Sequence, residues 1–274
     1  MFLQTAAVPY DPQSRRETGY RAEADPAPLA MVMPMAGRGS RFSSEGAGLP
    51  KPLIDLCGKP FFWWATESVR RIAPLAEMVF VVLEEHVRRF AIDAAVRRHY
   101  PDASVVALPD VTDGAAETAA LGLAALKGAG PVAICDSDHA FACRDPGPVI
   151  ESLGRGTDAA LFCFESTDPA YSYARLDCAG AVLGTVEKQA VSPLAIAGCY
   201  LFASPGIFLD AYRSYRLDCP YDEHFVSGVY NRLIASGGRV GKHVLASHVS
   251  FGTPAELARL LAAPEALPPW PARP

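Results

Sequence analysis

The chain has 274 residues, with 25 Lys and Arg against 30 Asp and Glu, for a formal charge of −5. That length suits one large domain or two small ones and can bury a core without a metal or disulfide staple. Half of the residues are apolar, which excludes a disordered, collagen-like or coiled-coil chain; the acidic balance argues against a general nucleic-acid binder, which carries a basic surplus to meet phosphates.

Residues 1–28 lack the basic start and apolar stretch of a secretion signal, and their Pro, Arg, Glu and Asp content predicts a mobile extension. Leu29–Met35 is a short apolar run that enters a Gly-rich turn, the pattern of a buried parallel strand. Phe61, Trp64, Ser68 and Ile72 follow at helical spacing, with Arg70 and Arg71 turned outward. Met78–Leu83 predicts a second buried strand; it is far shorter than the roughly 20 apolar residues that span a bilayer. Val87–Arg98 then predicts a helix, Ser104–Leu108 a strand, Ala115–Lys127 a helix, and Val132–Cys135 a strand that runs into Asp136-Ser137-Asp138-His139. Four rounds of strand and helix predict an α/β fold, with a mainly parallel central sheet and helices on both faces.

The second half changes character. Ala159–Glu165, Tyr171–Asp177 and Val182–Lys188 read as a mixed or antiparallel extension, and Ala195–Phe202 as a further strand. Helices are expected over Pro205–Ser214 and Tyr221–Ser236, a last strand over Val240–Leu245, and a last helix over Pro254–Ala262, opened by Thr253. The expected organisation is one domain over 29–262, divided near 145–146 into a nucleotide-binding and an acceptor-binding half, with a Pro-rich tail over 263–274. Seven cysteines without a C-x-x-C pair, several in apolar runs, read as reduced, buried thiols of a cytoplasmic protein.

The chemistry concentrates in Met33-Pro-Met-Ala-Gly-Arg-Gly-Ser-Arg-Phe42 and Leu49-Pro-Lys-Pro-Leu53. Gly37 and Gly39 let the backbone approach a ligand closely. Successive N–H groups in such a turn cradle phosphate oxygens, and Arg38 and Arg41 can add charge-assisted bonds. Only five lysines occur. Lys51, one of them, is fenced by Pro50 and Pro52, which suits a point charge aimed at a fixed anion. The P-loop spacing is missing, and the dinucleotide G-x-G-x-x-G fails at Phe42.

The joint pattern G-x-G-S-R-F followed by P-K-P-L resembles the sugar-phosphate nucleotidyltransferases, and most closely their MobA-like branch. The likeness extends from about Leu29 to Leu261. It implies a Rossmann-like, GT-A-type three-layer fold with a small β extension for the acceptor. It further implies transfer of a nucleotidyl group from an NTP to a phosphorylated acceptor, with release of pyrophosphate and with Mg²⁺ as cofactor. On this resemblance Met35, Ala36, Gly37, Arg38, Gly39 and Ser40 meet the nucleotide, together with Asp113, Gly114 and Ala115 of a second loop. Arg41 and Lys51 act on the phosphates, and Asp138, with Asp136, holds the metal. Glu187, Lys188 and Gly198 face the acceptor, and Lys188 anchors its phosphate. Phe251-Gly-Thr-Pro resembles the close of the catalytic domain, but Ser250 stands where many relatives carry a second metal-binding Asp, and Gln189 where they carry Pro. The partners implied are an NTP, pyrimidine favoured and CTP ahead of UTP or dTTP, and a sugar 1-phosphate or other small phosphorylated compound. Cell-surface polysaccharide synthesis is the expected setting, with no nucleic acid and no membrane, and a homodimer is left open.

Two other readings remain at this stage. Asp136-Ser137-Asp138 is an Asp-x-Asp of the kind a GT-A glycosyltransferase uses, and Ser250 gives standing to a nucleotide-binding homologue without turnover. Trp63 and Trp64 read as core, Glu84 and His86 as structural or solvent-facing, and the six scattered histidines show no zinc spacing.

Overall fold

In the computed structural model, residues 28–39, 42, 48–268 and 270 are described. The expected N-terminal extension, bar Pro28, lies outside them. Strand β1 (Leu29–Pro34) pairs in parallel with β4 (Leu75–Leu83) on one side and β6 (Val132–Cys135) on the other, and β4 pairs in parallel with β5 (Ser104–Leu108). Strand β11 (Leu194–Phe202) joins β6 antiparallel and carries the extension: β8 (Ala159–Glu165), β9 (Ser172–Leu176), β10 (Val182–Glu187) and β12 (Val240–Val244). The result is one nine-stranded mixed sheet.

Alternation along the strands supplies two cores. Met31, Met33, Phe80 and Val82 face helices α1 (Phe61–Arg70) and α3 (Ile92–His99), whereas Val32, Val79 and Val81 face α4 (Ala115–Leu123), α6 (Pro205–Tyr215) and α7 (Val226–Ala235). A strand covered on both faces has no polar side to show, so these strands read as continuous apolar runs. A third cluster gathers Phe42, Phe61 and Phe251 with Leu260 of α8 (Pro254–Ala262). The described part of the Pro-rich tail packs on this cluster. Leu267 is buried in it, and the Trp270 ring lies 5.2 Å from Trp64 and 4.4 Å from the Arg71 guanidinium.

Three expected helices have different bounds. The run read as Val87–Arg98 is two helices, α2 (Glu84–Phe90) and α3, broken at Ala91, whose φ of 50° is left-handed. The helix read as Ala115–Lys127 stops at Leu123, and the Glu77 carboxylate of β4 takes the N–H groups of Lys127 and Gly128. The helix read as Tyr221–Ser236 starts at Val226. His224 instead donates its N–H to the Asp113 carbonyl and accepts from the Ala116 N–H. Five short elements have no counterpart in the sequence reading: the β2 (Asp55–Leu56) and β3 (Lys59–Pro60) hairpin, the α5 helix (Gly147–Ser152), and the antiparallel pair β7 (His139–Ala142) and β13 (Ser247–Ser250). Among the described residues no helix is long and apolar enough to cross a membrane, and all seven cysteines are free thiols; Cys135, Cys163 and Cys199 are buried as expected, but Cys57 and Cys178 lie exposed in turns.

Candidate active site

In an open sheet of this kind ligands bind beyond the carboxyl ends of the parallel strands. There the loop after β1 faces the loop after β5 across a cleft of about 320 Å³. Ala36, Gly37 and Arg38 form one wall and Thr112, Gly114 and Ala115 the other. Thr118 of α4 ties the second wall down: its hydroxyl lies 2.6 Å from that of Thr112 and donates to the Gly114 carbonyl at 3.2 Å. Five of the residues expected at the nucleotide therefore line one cleft. Gly39 packs beside Lys51, with room of only 3.0 Å between a Cβ at 39 and the Lys51 Cβ. Met35 lies buried in the core beneath, its N–H given to the Val81 carbonyl. Asp113 stays exposed, with its N–H donated to Glu117. Ser40 and Arg41 lie outside the described residues.

Lys51 opens a single 3₁₀ turn (Lys51–Leu53) between its two prolines. Its ammonium reaches across the fold to Asp138, with Nζ 2.5 Å from Oδ2. Both side chains are largely shielded, at 24% and 15% exposure. An ion pair in such surroundings is weakly screened and is costly to leave half made. The P-K-P lysine and the acidic residue that follows β6 thus form one unit.

Asp138 leads into a second chain of contacts. His139 Nε2 lies 3.3 Å from Asp138 Oδ1, and His139 Nδ1 lies 2.7 Å from His248 Nε2. The His248 ring is stacked on Phe164, with centroids 3.7 Å apart. Asp136 enters through β11, its N–H donated to the Gly198 carbonyl at 2.8 Å. Gly198 has a φ of 65°, and a Cβ there would come within 2.7 Å of the His139 ring and 3.0 Å of Asp136 Oδ2. A side chain at Gly252 would run into Asp138 Oδ2. Two glycines therefore leave space around one polar cluster. One donor atom each from Asp136, Asp138 and His139 lie within 4.8 Å of one another, a donor set that fits a divalent cation.

The electrostatics separate the two carboxylates. Burial pushes Asp136 up, and the Asp138 charge adds to it, to a pKa of about 8. Burial acts on Asp138 in the same direction, but the Lys51 and His139 charges outweigh it and hold its carboxyl below the ordinary range. Burial lowers both His139 and His248.

The region around Glu187 and Lys188 is more open. Glu187 accepts from the hydroxyls of Ser172, at 2.7 Å, and Ser227, and its charge contributes to raising Asp136. Lys188 is exposed at a φ of 53°, with Nζ 5.2 Å from the Phe225 ring centre, and no ion pair holds it among the described residues. His139 and His248 were not among the candidates from sequence. His139 directly follows Asp138, which was a local signal; His248 lies 109 positions away and joins only through the β7–β13 ladder.

Residues 32–195 match the MobA-like NTP transferase domain, which is more than half of the chain. The chain belongs to this family. As a MobA-like NTP transferase it is a nucleotidyltransferase, and the Lys51–Asp138 pair lies inside the matched region. A nucleoside-diphosphate-sugar pyrophosphorylase from Vibrio cholerae RC9 superposes with a TM-score of 0.72 at 26% identity, covering 85% of this chain and 99% of that one. A Bacillus anthracis protein that carries the description glucose-1-phosphate thymidylyltransferase superposes with a TM-score of 0.68 at 17% identity, over 86% and 94% of the two chains, and so speaks for the fold. No curated protein matches the sequence.

Proposed function

We propose that this MobA-like NTP transferase moves an NMP group from an NTP to a sugar 1-phosphate or a similar small phosphorylated acceptor, releasing pyrophosphate. The observation that carries the reading is the Lys51–Asp138 pair, set beside the cleft that Gly37, Arg38, Gly114 and Ala115 line. The likeness to the Vibrio cholerae pyrophosphorylase supports a sugar-phosphate acceptor. The sequence resemblance favours a pyrimidine, CTP first, and a cytoplasmic role in cell-surface polysaccharide synthesis.

The reaction is an in-line attack by an acceptor phosphate oxygen on the α-phosphorus of the NTP. A phosphate oxygen at neutral pH is already a nucleophile, so no general base is needed. The two reactants repel each other, and the enzyme's task is to align them and to offset their charge. The loop through Gly37 and Gly39 offers backbone N–H groups to the triphosphate, with Ser40 and Arg41 following. Lys51 leaves Asp138 to bridge the α-phosphate and the attacking phosphate. Lys188 anchors the acceptor phosphate, and Glu187, held by two serines, shapes the wall behind it. Asp138 and Asp136 would hold a divalent cation, Mg²⁺ in the simplest case. When bound, that cation supplies charge neutralisation between the phosphates.

The test is a matrix of five NTPs against sugar 1-phosphates and small phosphates, read by pyrophosphate. Pyrophosphate released by one NTP–acceptor pair supports the reading. No release from any pair, or free nucleoside diphosphate from a nucleotide sugar, overturns it.

A further inference from the structure

We propose that His139 is a direct ligand of the divalent cation, completing a face of two carboxylates and one imidazole with Asp136 and Asp138, and that His248 holds its ring for this task. The inference rests on the nucleotidyl-transfer reading of the same site, and adds which atoms hold the ion and which ions they prefer.

Three independent features carry it. The first is donor placement. His139 Nε2 stands 3.3 Å from Asp138 Oδ1, and one donor atom each from Asp136, Asp138 and His139 lie within 4.8 Å of one another. Neighbouring ligands of an octahedral ion, each about 2.1 Å from it, stand about 3 Å apart. Lys51 contacts the other oxygen, Oδ2. Asp138 can therefore serve the lysine with one oxygen while its second faces the histidine.

The second feature is the far side of the imidazole. A ligating histidine needs its other ring nitrogen engaged, which sets the tautomer and the ring angle. His139 Nδ1 has His248 Nε2 at 2.7 Å. His248 is itself clamped against Phe164, rings 3.7 Å apart and 19° from parallel. With Nδ1–H donated to His248, the Nε2 lone pair is free to face the carboxylates.

The third feature is position 250. Ser250 stands opposite His139 in the β7–β13 ladder and brings a hydroxyl, which accepts from the Gly252 N–H at 3.5 Å. No carboxylate comes from that strand position. An imidazole in its place adds a donor but no charge. Nitrogen donors favour Mn²⁺, Co²⁺ and Zn²⁺ over Mg²⁺, which prefers oxygen. An imidazole in the set thus shifts the site's preference towards a borderline ion.

Mn²⁺ is the probe. Pulsed EPR of the full-length protein loaded with Mn²⁺ detects ¹⁴N coupling when an imidazole nitrogen binds the ion directly. We expect that coupling in the wild type, with conversion to the ¹⁵N pattern after ¹⁵N-histidine labelling. His139→Gln should abolish it and weaken Mn²⁺ binding about tenfold or more, with Mg²⁺ binding changed less than about threefold. His248→Phe should weaken Mn²⁺ while the ¹⁴N coupling survives. Ser250→Asp added to His139→Gln should recover binding and move the preference towards Mg²⁺. The labelled wild type needs no variant, so a misfolded His139→Gln protein does not stop the test. Mn²⁺ bound with pyrophosphate released but no ¹⁴N coupling overturns the ligand assignment and leaves the nucleotidyl-transfer reading intact. No Mn²⁺ or Mg²⁺ binding together with no pyrophosphate overturns both.

Discussion

The two walls of the site are built by opposite means. The cleft between the loops after β1 and β5 is lined largely by backbone and small side chains, Ala36, Gly37, Gly114 and Ala115, beside Arg38 and Glu223, and is held by hydroxyls such as Thr118. The charge centre a few residues away is made of side chains on side chains: Lys51 to Asp138, Asp138 to His139, His139 to His248, and His248 on Phe164. A backbone-lined cleft tolerates change in side chains because its shape comes from the chain path. A chain of buried polar groups does not, because each member satisfies the next and loss of one strands its neighbour.

Four variants break or sharpen that contrast. Lys51→Ala should lower kcat by about 10²–10³-fold or more, the scale set by removal of one preorganised electrostatic group, with the fold retained by circular dichroism; near-normal turnover would remove Lys51 from the mechanism. Gly198→Ala comes next. It forces a Cβ at positive φ, a strain of roughly 1–2 kcal/mol, against His139 and Asp136. It should lower thermal stability and cut turnover about 10–100-fold by shifting the carboxylate; unchanged Tm and kcat would mean that β11 does not set the cluster. Lys188→Ala, on the open acceptor side, should raise the acceptor KM about tenfold, in line with one lost charged hydrogen bond of about 1.5 kcal/mol, and leave kcat within about threefold. A flat KM would mark Lys188 as a surface residue on Phe225. Thr118→Val should have the smallest effect. It removes one hydroxyl tie of the cleft wall, costs about 1 kcal/mol of stability and raises the NTP KM a few-fold. A loss in kcat as large as that of Lys51→Ala would erase the contrast between the two walls.

The strands were legible because they obey a local rule. Met31, Met33, Val79, Val81 and their neighbours are apolar on both faces, and β5, β6 and β8 have the bounds that their runs suggest. Helix ends were less legible. Ala91 turns left-handed in mid-run, and His224 is drawn from its expected helix by backbone bonds to Asp113 and Ala116. Neither partner is near in sequence. Lys51 stood out through its prolines and the rarity of lysine, and Asp138 through its place after a buried strand.

From the sequence alone came the α/β alternation, the Gly-rich turn after the first strand, the P-K-P lysine and the acidic strand end, since each depends on neighbours a few residues apart. Only the tertiary structure decided which groups meet. It joined Lys51 to Asp138 across 87 positions and His139 to His248 across 109. It also placed Gly198 where a side chain would have closed the cluster. Contacts of that kind depend on how strands β6, β7, β11 and β13 are packed, and no local pattern along the chain encodes that packing.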